Sequence, residues 1–219
     1  MKTTLSVARN RQDELVELVR NRILAGTAAP GLPIRQDALA AELGVSKIPL
    51  REALARLEQE GLIRSEANRG FFVRSLSAAE AEEVYELRLN LEPGAVALAA
   101  LRADDDERRV AADTLKALDQ VTNTHGEGVG AFNRAFHLAL IRPSRQPITT
   151  AFLERLHILS ERYVRKHLEP MGRDERANEE HRSLLKSWVD RDGSGVAELM
   201  RRHICQTLDD LRLQLPADP

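Results

Sequence analysis

Three histidines, His137, His181 and His203, stand on three different amphipathic stretches, each on the apolar stripe. Asn133 precedes His137 by four residues, so an amide and an imidazole share one helix face. His181 runs with Leu184, Leu185 and Trp188, and His203 with Met200, Ile204, Thr207 and Leu211. A single histidine on such a stripe is most often a hydrogen-bonded core residue. Three converging inside a helical bundle make instead a nitrogen-rich site for Zn2+ or Ni2+, with positions open to water or a ligand carboxylate. Arg88 is the other inward polar group, set among Val84, Leu87, Leu91 and Ala95 at helical spacing. A buried guanidinium needs an anion. That anion is either an internal acid such as Glu92 or a bound organic acid gripped bidentately. His125, His157 and His167 fall near helix ends or off the apolar stripes and are expected at the surface. Cys205 is expected to pack rather than to ligate.

A second chemistry lies nearer the N-terminus. Residues 39–57 read L-A-A-E-L-G-V-S-K-I-P-L-R-E-A-L-A-R-L. Leu39, Ala40 and Leu43 form the apolar face of a short helix, and Gly44 supplies a left-handed position just past its end. Ser46 is placed to N-cap a following helix, with Pro49 early in it. Leu50, Ala53, Leu54 and Leu57 repeat at helical spacing while Lys47 and Arg51 add positive charge to the first turns. A capped helix after a tight glycine turn, basic at its start, is the geometry that enters the DNA major groove. Residues 62–65 and 71–74 are two short β-like runs joined by Glu66-Ala67-Asn68-Arg69-Gly70, a hairpin turn. Helices followed by this hairpin spell a winged helix-turn-helix. Gly70 at the wing tip allows close backbone approach to DNA and Arg69 brings charge.

The elements that must hold these residues follow from length and pattern. The chain has 219 residues, 42% apolar and 30% charged, with 4% aromatics and a formal net charge of −2. Few aromatics suit a helical bundle better than a sheet protein. Residues 1–75 are mildly basic, with 12 Lys and Arg against 9 Asp and Glu, and the remainder is acidic. One cysteine excludes an internal disulfide, and no apolar run approaches membrane-spanning length, so a soluble protein of the reducing cytoplasm is expected. Residues 8–25 predict a first helix closed by Gly26, and Pro30-Gly31-Leu32-Pro33 a turn. Ser77 and Glu80 form the S-x-x-E of a capping box. From there six helices are predicted, at roughly 78–101 (kinked near Pro93), 105–123, 129–141, 147–168, 173–190 and 194–214. The fold class is mainly α: a winged helix-turn-helix at 1–75, a linker at 76–77 and a helical bundle at 78–219.

With these motifs in hand, residues 23–73 resemble the DNA-binding head of the GntR-type bacterial transcription regulators, in the FadR-like branch. The core G-V-S-x-x-P-L-R-E-A-L and the closing N-R-G-F-F-V carry the likeness. Lys47 stands where the family more often has Arg, and Gln36 where Glu is common. The resemblance implies DNA contacts by Arg35, Ser46, Lys47, Pro49 and Arg51, with Arg69 and Gly70 from the wing. Arg51 suits a guanine edge bidentately and Ser46 with the helix N-terminus a phosphate. Residues 78–214 resemble the family's FCD-type ligand-binding bundle through V-Y-E-L-R-L-N-L-E-P, F-N-R-A-F-H, E-E-H-R-S-L-L and M-R-R-H-I. That resemblance implies a small carboxylic acid effector held by Arg88, and a metal whose usual first ligand is an Asp where this chain has Asn133. Arg134, Arg162 and Tyr163 are candidate neighbours in the pocket. A neutral amide oxygen is a weaker donor than a carboxylate.

The function expected is a ligand-responsive regulator, with repression relieved by effector as the default. Its bundle would join two chains so that two recognition helices read a short DNA palindrome. The alternative is a mononuclear metal hydrolase, in which three histidines and an open position activate water. That chemistry needs a base beside the metal, and no H-E-x-x-H, G-x-S-x-G or phosphate-binding glycine loop is present.

Overall fold

The computed structural model describes residues 2–24, 31–124, 128–168 and 172–215. It divides into two compact units, Met1–Ser75 and Leu76–Pro219. In the first, α1 (Lys2–Leu24), α2 (Gln36–Leu43) and α3 (Lys47–Gln59) precede a hairpin of β1 (Ile63–Glu66) and β2 (Gly70–Val73). Val16, Val19 and Ile23 of α1 pack with Leu39, Leu50, Leu54, Leu57 and Leu62 into one core. Gly44 takes the left-handed conformation at φ 65°, which ends α2 and turns the chain into α3. The strands pair antiparallel with Arg64 opposite Phe72 and Glu66 opposite Gly70. Asn68 (φ 61°) and Gly70 (φ 89°) make the tight turn between them. The Ile34 amide donates to the Phe71 carbonyl at 2.7 Å, so the segment before α2 covers the outer edge of β2. Gly26 lies outside the described residues.

The second unit holds α4 (Ala78–Arg102), α5 (Asp105–Asn123), α6 (Val129–Ile141), α7 (Pro147–Leu168), α8 (Arg173–Val189) and α9 (Gly193–Gln214). A single 3-10 turn at Arg142–Ser144 bridges α6 and α7. Helix α4 runs through Pro93 as one helix. Trp188, Phe136, Tyr163, Met200 and Leu118 fill the centre of the core. Ser77 caps α4 by accepting from the Glu80 amide. The Glu80 carboxylate takes a hydrogen bond from Arg162 of α7 at 2.7 Å. The reciprocal capping box forms at Asp104 and Glu107, where α5 begins. Gly130 lets α6 start directly against α7: a Cβ there would sit 2.5 Å from Glu161 Cγ and 3.1 Å from its carbonyl oxygen. Among the described residues, no helix is long and apolar enough to cross a membrane.

Candidate functional sites

The first candidate site is the exposed start of α3 with the hairpin tip. Arg35 at the start of α2, and Ser46, Lys47 and Arg51 around the first turns of α3, are all exposed, and Pro49 is half-buried. Ser46 occupies the N-cap position, yet its side chain makes no capping bond. Its hydroxyl is therefore uncommitted to the helix. Lys47 is paired with Asp37 at 2.6 Å, whereas Arg51 has no ion pair among the described residues. At the tip Arg69 binds Glu66 and lies over the Phe72 ring at 5.2 Å, which holds its guanidinium in place beside Gly70. Ile48, which the sequence reading passed over, is 73% exposed between Lys47 and Pro49. Its signal was available: it breaks the apolar stripe of α3.

The second candidate site is a cavity of about 470 Å3, open mouth included, lined among others by Asn133, His137, His181, His203, Arg88 and Tyr85. The three histidines come from α6, α8 and α9, and each can offer a ring nitrogen within 4.8 Å of the others'. His137 and His203 stack with centroids 5.4 Å apart, and His181 stands 4.8 Å from His203. Burial pushes the pKa of all three imidazoles down, so they are neutral, the state that ligates metal. The Nε2 of His137 and both ring nitrogens of His181 are buried without a hydrogen-bond partner. Buried polar atoms left bare carry a desolvation penalty that a bound cation removes. These residues fit a divalent ion. Asn133, one turn before His137, is only half-buried at the cavity wall.

Behind His137 lies a charged layer. Glu92 is fully buried and receives Arg88 Nε at 2.8 Å and Nη2 at 3.4 Å, so the internal pairing of Arg88 exists. Ser160 of α7 meets the same guanidinium at 3.4 Å. Burial alone would raise the Glu92 carboxyl, but Arg88, His157 and His137 together hold it well below the usual carboxylate range. His157 and His167, expected at the surface, are buried. On α7 they continue the row Leu153, Leu156, Ser160, Tyr163 and Val164, all buried. That row has helical spacing, and counting only apolar residues concealed it. Burial lowers the pKa of His157 to about 3 and of His167 to about 4. His157 Nε2 lies 3.1 Å from Glu92, so Glu92, His137 and His157 form a second donor group. A cation there would share a carboxylate that Arg88 already occupies, and guanidinium repulsion opposes it. His125 lies outside the described residues.

Three expected neighbours of the cavity are engaged elsewhere. Arg134 binds Glu161 at 3.1 Å. Arg162 binds Glu80, and the Tyr163 hydroxyl donates to the Ser77 carbonyl at 3.1 Å. None of the three lines the cavity: Arg134 on α6 is turned to Glu161, and on α7 Arg162 and the Tyr163 hydroxyl reach the start of α4. Cys205 is exposed, not packed. The polar wall adds Thr122 and Asn178 to Thr207, which already stands in the His203 stripe. Asn178 lies one turn from His181, a spacing that could have flagged it.

Comparison with known proteins gives these two sites a context. Residues 11–73 match the family described as bacterial regulatory proteins, gntR family, and residues 83–206 match the FCD domain. The chain is 34% identical to the Nta operon transcriptional regulator of Aminobacter aminovorans, over 83% of its own length and 85% of the relative's. It is 29% identical to the HTH-type transcriptional repressor GlaR of Escherichia coli, over 85% and 89% of the two chains. The solved structure of E. coli McbR/YncC shares its fold, with a TM-score of 0.76 at 24% identity over 93% of this chain and 97% of that one. The relatives are regulators of transcription and not enzymes, which removes the hydrolase alternative. A gntR head implies DNA binding and an FCD bundle a small-molecule effector. With its helix-turn-helix and wing followed by an FCD bundle, the chain belongs to the GntR family of bacterial transcription regulators, in the FadR-like branch.

Proposed function

We propose that this chain is a cytoplasmic homodimeric repressor, released from a palindromic operator by a small carboxylic acid. The acid binds at the mouth of this cavity beside a Zn2+ or Ni2+ held by His137, His181 and His203, with Asn133 as a weak fourth donor. The observation that carries the sensor reading is the meeting of three buried imidazoles, several of their nitrogens unpartnered, in one cavity that Arg88 also lines. Such a metal supplies a Lewis-acidic anchor for an acid oxygen. The Arg88 guanidinium binds Glu92, Ser160 and Tyr85, and the N–H left over from its five is the one that would meet an effector carboxylate. On DNA, Arg51 reads a guanine edge and Ile48 gives apolar contact to a thymine methyl. Arg35, Ser46 and Lys47 hold phosphates, Pro49 sets the entry of α3 into the groove, and Arg69 with Gly70 follows the minor-groove edge. Repression accords with the name borne by the GlaR relative.

The test is metal content of tag-free protein purified without chelator, alongside thermal shifts with small carboxylic acids. About one metal per chain is expected, with an acid-induced rise in Tm that EDTA removes. His181→Ala is expected to lose the metal and the acid response while keeping ligand-free operator binding. Full metal content in that variant would refute the histidine site.

A further inference from the structure

Two of the three cavity histidines have a carboxylate behind them. Glu92 Oε1 on α4 lies 2.7 Å from His137 Nδ1, and Glu180 Oε2 on α8 lies 2.6 Å from His203 Nδ1. An ionised carboxylate only accepts hydrogen bonds, so each imidazole carries its proton on Nδ1 and donates it outward. The lone pair is then left on Nε2. For His137 that Nε2 is the buried, unpartnered atom among the three converging histidines. Both carboxylates are themselves held by arginines: Glu92 by Arg88 at 2.8 Å, Glu180 by Arg176 at 3.5 Å. His181 has no such support, and both its ring nitrogens are bare.

We propose that Glu92 and Glu180 are the positioning residues of this centre, fixing His137 and His203 as Nδ1–H tautomers that present Nε2 to the cation. This rests on the metal reading above. A carboxylate hydrogen-bonded to a ligating imidazole fixes its ring and raises its basicity. The same geometry assigns the donor atom: metal on Nε2 of both residues, never on Nδ1.

Zinc titration of chelator-treated full-length protein against a competing chelator tests this, together with 15N-histidine NMR of the zinc-loaded chain. Glu180→Gln is expected to weaken zinc binding roughly 10- to 100-fold. Glu179→Gln makes the same charge change on an exposed neighbour and is expected to alter affinity less than about twofold, as a screened surface charge does. The NMR spectrum is expected to show Nε2 ligation with a protonated Nδ1 for His137 and His203. Because Glu92 also neutralises buried Arg88, its variant tests folding too; the Glu180 pair and the wild-type spectrum carry the test without it. Wild-type affinity in Glu180→Gln, equal losses in the two variants, or Nδ1 ligation would overturn the assignment while leaving the metal reading standing. A wild-type chain that binds no zinc would overturn both.

Discussion

Lowering the pH of the chelator-treated protein from 7 to 5 is expected to remove about 4 kcal/mol of stability from the helical unit through His157 and His167 alone. In the unfolded chain a histidine titrates near 6.5. In the folded chain burial holds His157 at about 3 and His167 at about 4. Between pH 7 and 5 the unfolded state thus gains a proton at each, while the folded state gains none. Stability therefore falls as pH falls through 6.5, and continues falling until the folded pKa is reached. The slope is 2.303RT per pH unit and per histidine, which integrates to about 2 kcal/mol for each residue over this window. His137, His181 and His203 are shifted the same way and add to the loss. Glu180, whose carboxyl burial pushes up, works in the opposite sense and offsets part of it. A domain has only about 5–15 kcal/mol to lose. The assay is urea unfolding at pH 7, 6 and 5 followed by fluorescence of Trp188, the one tryptophan, which is buried in α8 and donates to the Leu140 carbonyl. Its signal reports the bundle, not the DNA-binding head. A midpoint unchanged from pH 7 to 5 would mean that these imidazoles titrate freely in the folded protein, and the dry histidine core would be refuted.

Two further outcomes follow from the geometry. Arg51→Ala is expected to weaken operator binding by about 1–3 kcal/mol per recognition helix, with little change on non-specific DNA, as read by fluorescence anisotropy at fixed salt. Unchanged affinity would remove Arg51 from base readout. Gly130→Ala places a methyl 2.5 Å from Glu161 Cγ and is expected to cost about 1–3 kcal/mol by separating α6 from α7. Urea unfolding followed through Trp188 measures it, and a neutral result would show that α6 and α7 are not packed this closely.

The helices of the bundle were legible because apolar spacing, caps and Pro or Gly breaks all agreed. The expected 105–123, 129–141 and 147–168 coincide with α5, α6 and α7. Side-chain direction on α7 was not legible in the same way. His157, Ser160 and His167 are polar, so the stripe they complete looked narrower than it is. Arg162 and Tyr163 have pocket-like chemistry, but the turn of the helix that buries His157 sends them toward Ser77 and Glu80. The pairing of Arg88 with Glu92 was readable at i,i+4. The carboxylates behind His137 and His203 come from other helices, and no spacing along the chain brings Glu92 to His137 or Glu180 to His203.

The contacts of α7 have a mechanical meaning. The helix forms cavity wall through Val164, His167 and Leu168, and holds Arg88 through Ser160. Tyr163 of the same buried row, with Arg162 beside it, grips the first turn of α4: Arg162 takes Glu80, and the Tyr163 hydroxyl both donates to the Ser77 carbonyl and accepts from its amide. Cavity wall and the cap of α4 are thus tied to one helix, so α7 cannot shift at the cavity without pulling on Ser77.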